Sequence, residues 1–400
     1  MKILFSAALL ITSLLTSCGS YHKDDAPMDK VVNDALTFCE KQSLLMASKY
    51  ASSDSLLPRS YVDGQCTSQN SRWWCSGFFP GVLWYLYEND RDDNILNYAR
   101  HYTDMLEREQ YTKDNHDIGF ILFCSFGNGY RLTNNPHDKD VLLTGARSLS
   151  SRFNPRVGLI RSWDFNKNQW QYPVIIDNMM NLEMLLWASK ASGNPYFKKI
   201  AESHADKTSK YHYRPDESCF HVVSYDTITG LPHIRQTNQG YSDQSAWSRG
   251  QTWGLYGFTF MYRYTHEHRY LDKAESIAHY LIHQPNMPKD YIPYWDFDAP
   301  NIPNAKRDAS AAAIMASALI ELSQYVDHAL SREYLKVAET QLRVLSSDKY
   351  RAKLGENGDF ILKHSVGAMP FNSEVDVPLT YADYYYVEAL MRWKKLHHKQ

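Results

Sequence analysis

Two aspartates stand directly before long apolar stretches of this sequence. Asp177 opens "DNMMNLEMLLWAS", and Asp117 follows His116 at the start of "HDIGFILFCSFG". Two carboxylates that face each other across a cavity can serve as general acid and general base, the arrangement that cleaves glycosidic bonds. Aspartate is also a favoured N-cap residue that contributes about 1 kcal/mol to helix stability. Each acid therefore has a catalytic and a structural interpretation.

Six segments of the sequence share this style, in which polar or aromatic residues lead into a helix of small and apolar residues. The leading residues are Trp73 and Trp74, His116 and Asp117, Asp177, Trp247 with Arg249, Arg307 with Asp308, and Tyr381 with Asp383. Between them lie six segments with apolar residues on one stripe, which is typical of amphipathic helices. This alternation predicts an all-α fold, the (α/α)6 toroid, in which outer helices cover inner ones. Two short hairpins are predicted, at "FHVVSYD" and "GDFILKHS".

The inner helices of such a toroid run parallel, so their N-terminal ends gather at one mouth of the barrel. The leading residues would then face one another across a shared cavity. For a single acid such as Asp308 or Asp383, capping is the favoured interpretation. The set as a whole favours a site, because helix caps need neither tryptophans nor Arg249. We therefore expect Asp117 and Asp177 to share a cavity.

The composition narrows the class of protein. The 400 residues are 44% apolar and no linker interrupts them, so we expect residues 29–400 to form one domain, the predicted toroid. The 43 basic and 45 acidic residues nearly cancel, and no basic stripe is present, which argues against a nucleic-acid partner. The 29 Tyr, 16 Phe and 10 Trp residues mildly favour a carbohydrate site. The cysteines lack the spacing of metal ligands, so no metal site is expected.

The N-terminus predicts export. The stretch "MKILFSAALLITSLLTSC" has a lysine at position 2, a short apolar run and small residues before a cysteine, which indicates a lipoprotein signal peptide over residues 1–17. Because "LLTSC" resembles a bacterial lipobox, Cys18 is predicted to be lipidated, with residues 18–28 as a flexible tether. The expected location is the cell envelope, facing the periplasm or on the outer-membrane surface, with membrane contact only through the lipid anchor. An ordinary signal peptide cleaved nearby is the alternative.

Three blocks of the sequence resemble a known family. They are "HDIGF" at 116–120, "IIDNMMNL" at 175–182 and "QGYSDQSAWSRGQTWGLYGF" at 239–258. In this order and at these separations they are similar to the blocks of the unsaturated glucuronyl hydrolases, glycoside hydrolase family 88. The resemblance implies an enzyme that removes a Δ4,5-unsaturated uronic acid from the non-reducing end of lyase-generated, glycosaminoglycan-type oligosaccharides. The implied reaction hydrates the C4=C5 vinyl ether and needs neither a metal nor a cofactor.

The same resemblance implies roles for individual residues. Asp177 would protonate C4 and then take a proton from water, and Asp117 would be the second essential carboxylate. Arg249 would meet the uronate carboxylate, and Trp253 would stack on its ring. The full set implied to bind substrate is His116, Trp74, Trp163, His221, Gln239, Arg249, Trp253 and Ser365.

One departure from the family pattern concerns sulfate. Members that prefer sulfated glycosaminoglycan fragments carry a Ser-x-x-Ser-x-Lys pattern, whereas here Ser365 is kept but Ala368 and Pro370 fill the other two places. Neither replacement offers a donor or a positive charge to a sulfate. A preference for that sulfated sugar is therefore in doubt.

The proposed chemistry makes demands on electrostatics. An aspartate with an ordinary pKa of about 3.9 is protonated in only about one molecule in a thousand at pH 7. A helix N-terminus lowers the pKa further. We therefore expect burial and the like charge of Asp117 to raise the pKa of Asp177, and we expect a mildly acidic activity optimum.

Two other functions remain open on the sequence. An unsaturated rhamnogalacturonyl hydrolase, acting on pectin fragments, would share fold and chemistry, although the "HDIGF" block and His221 favour the glucuronyl enzyme. A non-catalytic lipoprotein that captures glycans on aromatic surfaces would explain Cys18 and the tyrosines. It would not explain why Asp117 and Asp177 begin two inner helices.

Overall fold

The computed structural model describes residues 26–397, so the predicted signal peptide, Cys18 and most of the predicted tether lie outside the described residues. The helices are α1 (Met28–Tyr50), α2 (Phe78–Asp90), α3 (Asp93–Asp104), α4 (Ile118–Leu122), α5 (Asn128–Thr133), α6 (Pro136–Ser150), α7 (Asn178–Ser192), α8 (Pro195–Tyr211), α9 (Ser248–Thr265), α10 (His268–His283), α11 (Ala309–Leu322), α12 (His328–Leu345) and α13 (Thr380–His397). The prediction of a mostly helical fold is confirmed. Within residues 26–397 no helix is long and apolar enough to cross a membrane.

The six predicted inner segments form helices that are buried on nearly all sides. In α11 every residue is buried, and in α9 the burial runs without a break from Ser248 to Met261. Helix α2 packs on α13, α13 on α11, α11 on α9, α9 on α7, and α7 on α4. A π-helical turn, Phe123–Gly127, continues α4 and packs on α2. The contacts between the inner helices therefore close into a ring.

The amphipathic segments cover this ring. Helix α3 packs on α2, α6 on α4, α8 on α7, α10 on α9, α12 on α11, and α1 on α13. Several of these outer helices begin at a side chain that accepts a hydrogen bond from the first helical turn, namely Asp92, Asn135, Asn194 and Asp327. Such caps satisfy backbone N–H groups that have no partner within the helix. The predicted outer helices are confirmed.

Short antiparallel strands connect the helices. They are β1 (Leu57–Val62), β2 (Gln65–Gln69), β3 (Phe153–Asn154), β4 (Leu159–Ile160), β5 (Pro173–Ile175), β6 (Val222–Tyr225), β7 (Pro232–Gln236), β8 (Ser365–Ala368) and β9 (Ser373–Val377). The stretch "FHVVSYD" forms β6, which pairs with β5 and β7 as part of a hairpin. The prediction for "GDFILKHS" is wrong in extent, because before Ser365 this stretch contributes a single isolated bridge, between Leu362 and Arg351. The N–H groups of Ile361 and Leu362 donate instead to the Asp383 carboxylate, at 2.9 and 2.8 Å.

A close contact between two inner helices sets the position of the acids. A Cβ atom added at Gly119, in α4, would lie 2.6 Å from the Cα atom of Asn181, in α7. A side chain at Gly119 would therefore push the two helices apart. Because Asp117 and Asp177 immediately precede these helices, the contact also brings the two acids to neighbouring positions.

Candidate active site

The two predicted acids occupy helix starts without capping them. Asp117 and Asp177 are the N-cap residues of α4 and α7, and neither side chain makes a capping hydrogen bond. Asp308, at the same position of α11, does cap, since its carboxylate accepts from the N–H of Ser310 at 3.0 Å. The carboxylate of Asp383 is committed to two backbone N–H groups. The structure thus separates two acids that are free of capping bonds from two whose carboxylates accept backbone N–H groups.

Each free acid faces a buried histidine. His116 Nε2 lies 3.4 Å from Asp117 Oδ1, and His221 Nε2 lies 3.6 Å from Asp177 Oδ2. The backbone N–H groups of Gln239 and of the residue before it donate to His221 Nδ1, each at 3.1 Å. The ring proton of His221 is therefore on Nε2, pointing toward Asp177. Burial, reinforced by nearby arginine charges, lowers the pKa of both histidines to about 3, so both rings are neutral.

Burial also changes the acids themselves. It raises the pKa of Asp177 to about 7, with a further upward contribution from Asp117 and a lowering by Arg249. Burial raises the pKa of Asp117 to about 7 as well, against the lowering effect of the Asn181 amide and of the Arg152 charge. The expected rise for Asp177 and its two expected causes are confirmed. At neutral pH such a group is protonated in about half of the molecules instead of about one in a thousand.

The raised pKa of Asp177 predicts that this residue lowers the free energy of unfolding at neutral and alkaline pH. Asp177 has a folded pKa of about 7, above the unfolded value of about 3.9. The favourable contribution of its protonated form is therefore complete near pH 4 and is lost as the pH rises through 7. Replacing Asp177 by Asn should stabilise the protein at pH 8, by up to about 4 kcal/mol, and by much less at pH 4.

Urea unfolding of both proteins at pH 4.5 and pH 8 measures this difference. The quantity to compare is the change in free energy of unfolding between variant and wild type at each pH. An equal difference at the two pH values would show that Asp177 does not titrate in this range in the folded protein.

Three tryptophans are predicted to contact substrate, and they differ in how deeply they are buried. Trp74 is half-buried and Trp253 is fully buried. Both contact the ring of Phe120, with centroid distances of 5.6 and 5.1 Å. Trp163 is 8% exposed, and its backbone pairs with that of Asn115, just before the first acid. The structure thus brings all three tryptophans to the segments that carry the acids, and their contact with a sugar stays a prediction.

Arg249 connects the site to strand β8. One of its nitrogens, Nη1, lies 3.1 Å from the Asp308 carboxylate, and the guanidinium also donates to the carbonyls of residues 366–367. Arg249 is fully buried, and its charge acts on Asp177. Ser365, at the start of β8, is buried with no hydrogen-bond partner for its hydroxyl among the described residues. The predicted contacts of Arg249 and Ser365 with substrate stay predictions.

Two residues that affect the pKa of Asp117 were not predicted from the sequence. Asn181 accepts the N–H of Phe120 at 2.8 Å and adjusts the pKa of Asp117. It lies four residues after Asp177, and this spacing places both on one face of α7, a signal that was available. Arg152 also acts on Asp117, but it lies outside the three blocks, and no spacing in the sequence points to it.

This arrangement defines the class of protein. Two carboxylates with pKa values near 7, neutral histidines and aromatic walls at the helix starts of a helical ring can move a proton to and from a bound sugar. These are the features of a glycoside hydrolase.

Comparisons with known proteins identify the family. The model of Glycosyl Hydrolase Family 88 matches residues 55–397. An unsaturated glucuronyl hydrolase of Formosa agariphila is 46% identical over 327 residues, which covers 82% of this chain and 81% of that protein. An unsaturated chondroitin disaccharide hydrolase of Streptococcus pyogenes is 31% identical over 381 residues, 94% of each chain. The crystal structure of an unsaturated glucuronyl hydrolase specific for heparin is 48% identical, with a TM-score of 0.90 and coverage of 92% of this chain and 98% of that one. The chain belongs to glycoside hydrolase family 88.

Proposed function

We infer that the protein removes Δ4,5-unsaturated uronic acid from the non-reducing end of glycosaminoglycan-type oligosaccharides left by polysaccharide lyases. The observation that carries this function is the pair Asp117 and Asp177, which begin neighbouring helices without capping them and have pKa values near 7. A carboxyl group of this kind can both donate and accept a proton near neutral pH. The 46% identity to an unsaturated glucuronyl hydrolase supports the same reaction.

The reaction adds water across the C4=C5 bond. Protonated Asp177 donates its proton to C4, and the ring oxygen shares the positive charge that develops at C5. Water then attacks C5 and gives a proton to the Asp177 carboxylate, which restores the starting state. The hemiketal opens and expels the neighbouring sugar, so the anomeric carbon is not attacked. The proton on His221 Nε2 faces Asp177 and stabilises its carboxylate between the two steps.

This mechanism predicts a particular dependence on pH. Because Asp177 must begin protonated and its pKa is about 7, kcat/KM should fall about tenfold per pH unit above pH 7. Replacing Asp117 by Asn removes the like charge that raises the pKa of Asp177. The residual kcat/KM of this variant should therefore begin to decrease at a lower pH than kcat/KM of the wild type. An unchanged position of the fall, in initial rates between pH 5 and pH 9, would contradict the coupling of the two acids.

We infer that the ring of six inner helices, with an outer helix packed on each, is the (α/α)6 barrel, which the order of the helix contacts supports.

We propose that the protein is a lipoprotein of the cell envelope, attached through Cys18. The lipobox-like "LLTSC" supports this proposal. Fatty-acid labelling of the full chain, lost in Cys18→Ala, is the expected result.

One experiment tests the function and ranks the substrates. Unsaturated disaccharides made by lyases from hyaluronan, chondroitin, heparin and pectin are mixed with the protein, and the ultraviolet absorbance of the conjugated double bond is followed. Loss of absorbance with the glycosaminoglycan fragments is the expected result. Loss with the pectin fragment alone would identify a rhamnogalacturonyl hydrolase. Persistent absorbance with every sugar, together with binding, would indicate a capture protein.

A further inference from the structure

A basic cavity of about 390 Å³ opens beside the β3–β4 hairpin. Its lining includes three cationic side chains, Lys113, Arg152 and Arg161, and one carboxylate, Asp164. The ring of Tyr172 forms part of the wall, 5.6 Å from the Arg161 guanidinium. The cavity therefore carries an excess of two positive charges in a chain whose overall charges nearly cancel.

The arginines of this cavity have donors to spare. Arg152 Nε donates to the Arg161 carbonyl at 2.8 Å. Arg152 Nη1 donates to the Asp164 carboxylate at 3.0 Å and also to the Lys113 carbonyl. Arg152 Nη2 has no partner in the part of the chain that the structure describes, although the side chain is only 4% exposed. Arg161 shares the same carboxylate, at 3.2 Å, and its Nε is also buried without a partner there.

Buried donors are nearly always hydrogen-bonded in folded proteins, because leaving them unpaired costs free energy. Two such donors lie on two guanidinium groups that line one cavity, so this basic wall is short of acceptors. Asp164 is already shared between Arg152 and Arg161 and is partly exposed, so it leaves the charge incompletely balanced. The missing acceptor should be an anion.

Arg152 connects the cavity to Asp117, because it lines the cavity and its charge lowers the pKa of that acid. The cavity wall at Lys113 lies four residues before Asp117, and the backbone N–H of His116 donates to the carbonyl of residue 162 at 3.0 Å. Arg161 is two residues before Trp163, which stacks on the exposed ring of Phe165 at 4.8 Å. Trp163 also directly precedes Asp164, another residue of the cavity wall, so a sugar that lies against Trp163 would have the cavity as its neighbour.

We propose that the cavity formed by Lys113, Arg152 and Arg161 binds a sulfate ester of the substrate. The inference rests on the proposed function, because glycosaminoglycan fragments are the sugars that bring sulfate to this place. Sulfate oxygens match the paired N–H donors of arginine, and the cavity supplies the charge that Ala368 and Pro370 lack. The uronate carboxylate could supply the same acceptor chemistry, and the assay below distinguishes the two sources.

Arg161→Gln is the informative variant, because this side chain is 23% exposed and its loss leaves the carbonyl contacts of Arg152 in place. Lys167→Gln is the matched control, since it removes an exposed cation from the same loop outside the cavity lining. Rates are compared on unsaturated chondroitin and heparin disaccharides with and without sulfate at defined positions. We expect Arg161→Gln to lower kcat/KM about tenfold on at least one sulfated disaccharide, through KM, and less than about twofold on non-sulfated ones.

The rates of these variants decide the proposal. Partial recovery in Arg161→Lys and no effect of Lys167→Gln support a sulfate site. Equal losses on sulfated and non-sulfated substrates would overturn it, because the cavity would then hold the uronate carboxylate or serve the fold. If no disaccharide is turned over, the proposed function fails instead. Calorimetric binding of the same disaccharides to the full protein then decides, and equal affinity of wild type and Arg161→Gln for the sulfated sugar overturns the site.

Discussion

Replacing Asp177 by Asn is expected to lower kcat by about 10⁴-fold on every unsaturated disaccharide that the protein cleaves, while substrate affinity changes little. The amide has the size of the acid, so the start of α7 is preserved, and no capping hydrogen bond is lost. It cannot give a proton to C4 or take one from water. General acid–base catalysis contributes about 10²- to 10⁴-fold, and the upper end applies because one group serves both steps.

Asp383 is the matched control for this prediction. Burial also raises its pKa to about 7, and it too lies at the start of an inner helix. Its carboxylate, however, accepts two backbone N–H groups and faces the loop before β8. Asp383→Asn should therefore lower stability and leave kcat within a fewfold. Turnover that survives in Asp177→Asn, or that is lost equally in Asp383→Asn, would contradict the assignment of the acid.

The position of the acids could be predicted from sequence, but their freedom from capping could not. Asp117, Asp177 and Asp308 all immediately precede apolar helices, and their residue pattern is the same. Their backbones differ: Asp308 is extended, with φ −119° and ψ 97°, whereas Asp177 is already helical, with φ −55° and ψ −28°. Capping needs the extended conformation, which aims the side chain at the first helical N–H groups. That conformation is set by the packing of loops, which local sequence patterns do not describe.

Contacts between residues that are far apart in the chain could not be predicted from the sequence either. The spacing of Arg249 and Trp253 correctly placed both on one face of α9. The groups that fix Arg249, however, are Asp308 and the carbonyls of residues 366–367, which lie 59 and more than 100 positions away in the chain. The strand predicted at "GDFILKHS" is reduced to one bridge, between Leu362 and Arg351, for the same reason, because the distant Asp383 accepts the N–H groups of Ile361 and Leu362. Periodicity predicts helices well, whereas the loops that complete the site depend on such distant contacts.

Asp308→Ala is expected to lower the free energy of unfolding by about 3 to 5 kcal/mol. Both charged partners are buried, with Arg249 1% and Asp308 0% exposed, and Asp308 Oδ2 is 3.1 Å from Arg249 Nη1. Oδ1 holds the start of α11 through Ser310 and reaches the backbone N–H of Val366 at 3.3 Å. Removing one partner of a buried ion pair leaves an uncompensated charge, which costs far more than a lost cap.

Asp327→Ala separates these two contributions. Asp327 caps α12 in the same way, by accepting from Ala329 and Leu330, but it is exposed and forms no ion pair with an arginine in the part of the chain that the structure describes. Its replacement should cost about 1 kcal/mol, and Asp308→Asn, which keeps an acceptor for the cap, should fall between the two. Urea unfolding at pH 7 measures all three. Equal losses in Asp308→Ala and Asp327→Ala would mean that Arg249 does not depend on Asp308, and that the two carbonyls of β8 are enough to hold a buried guanidinium beside Asp177.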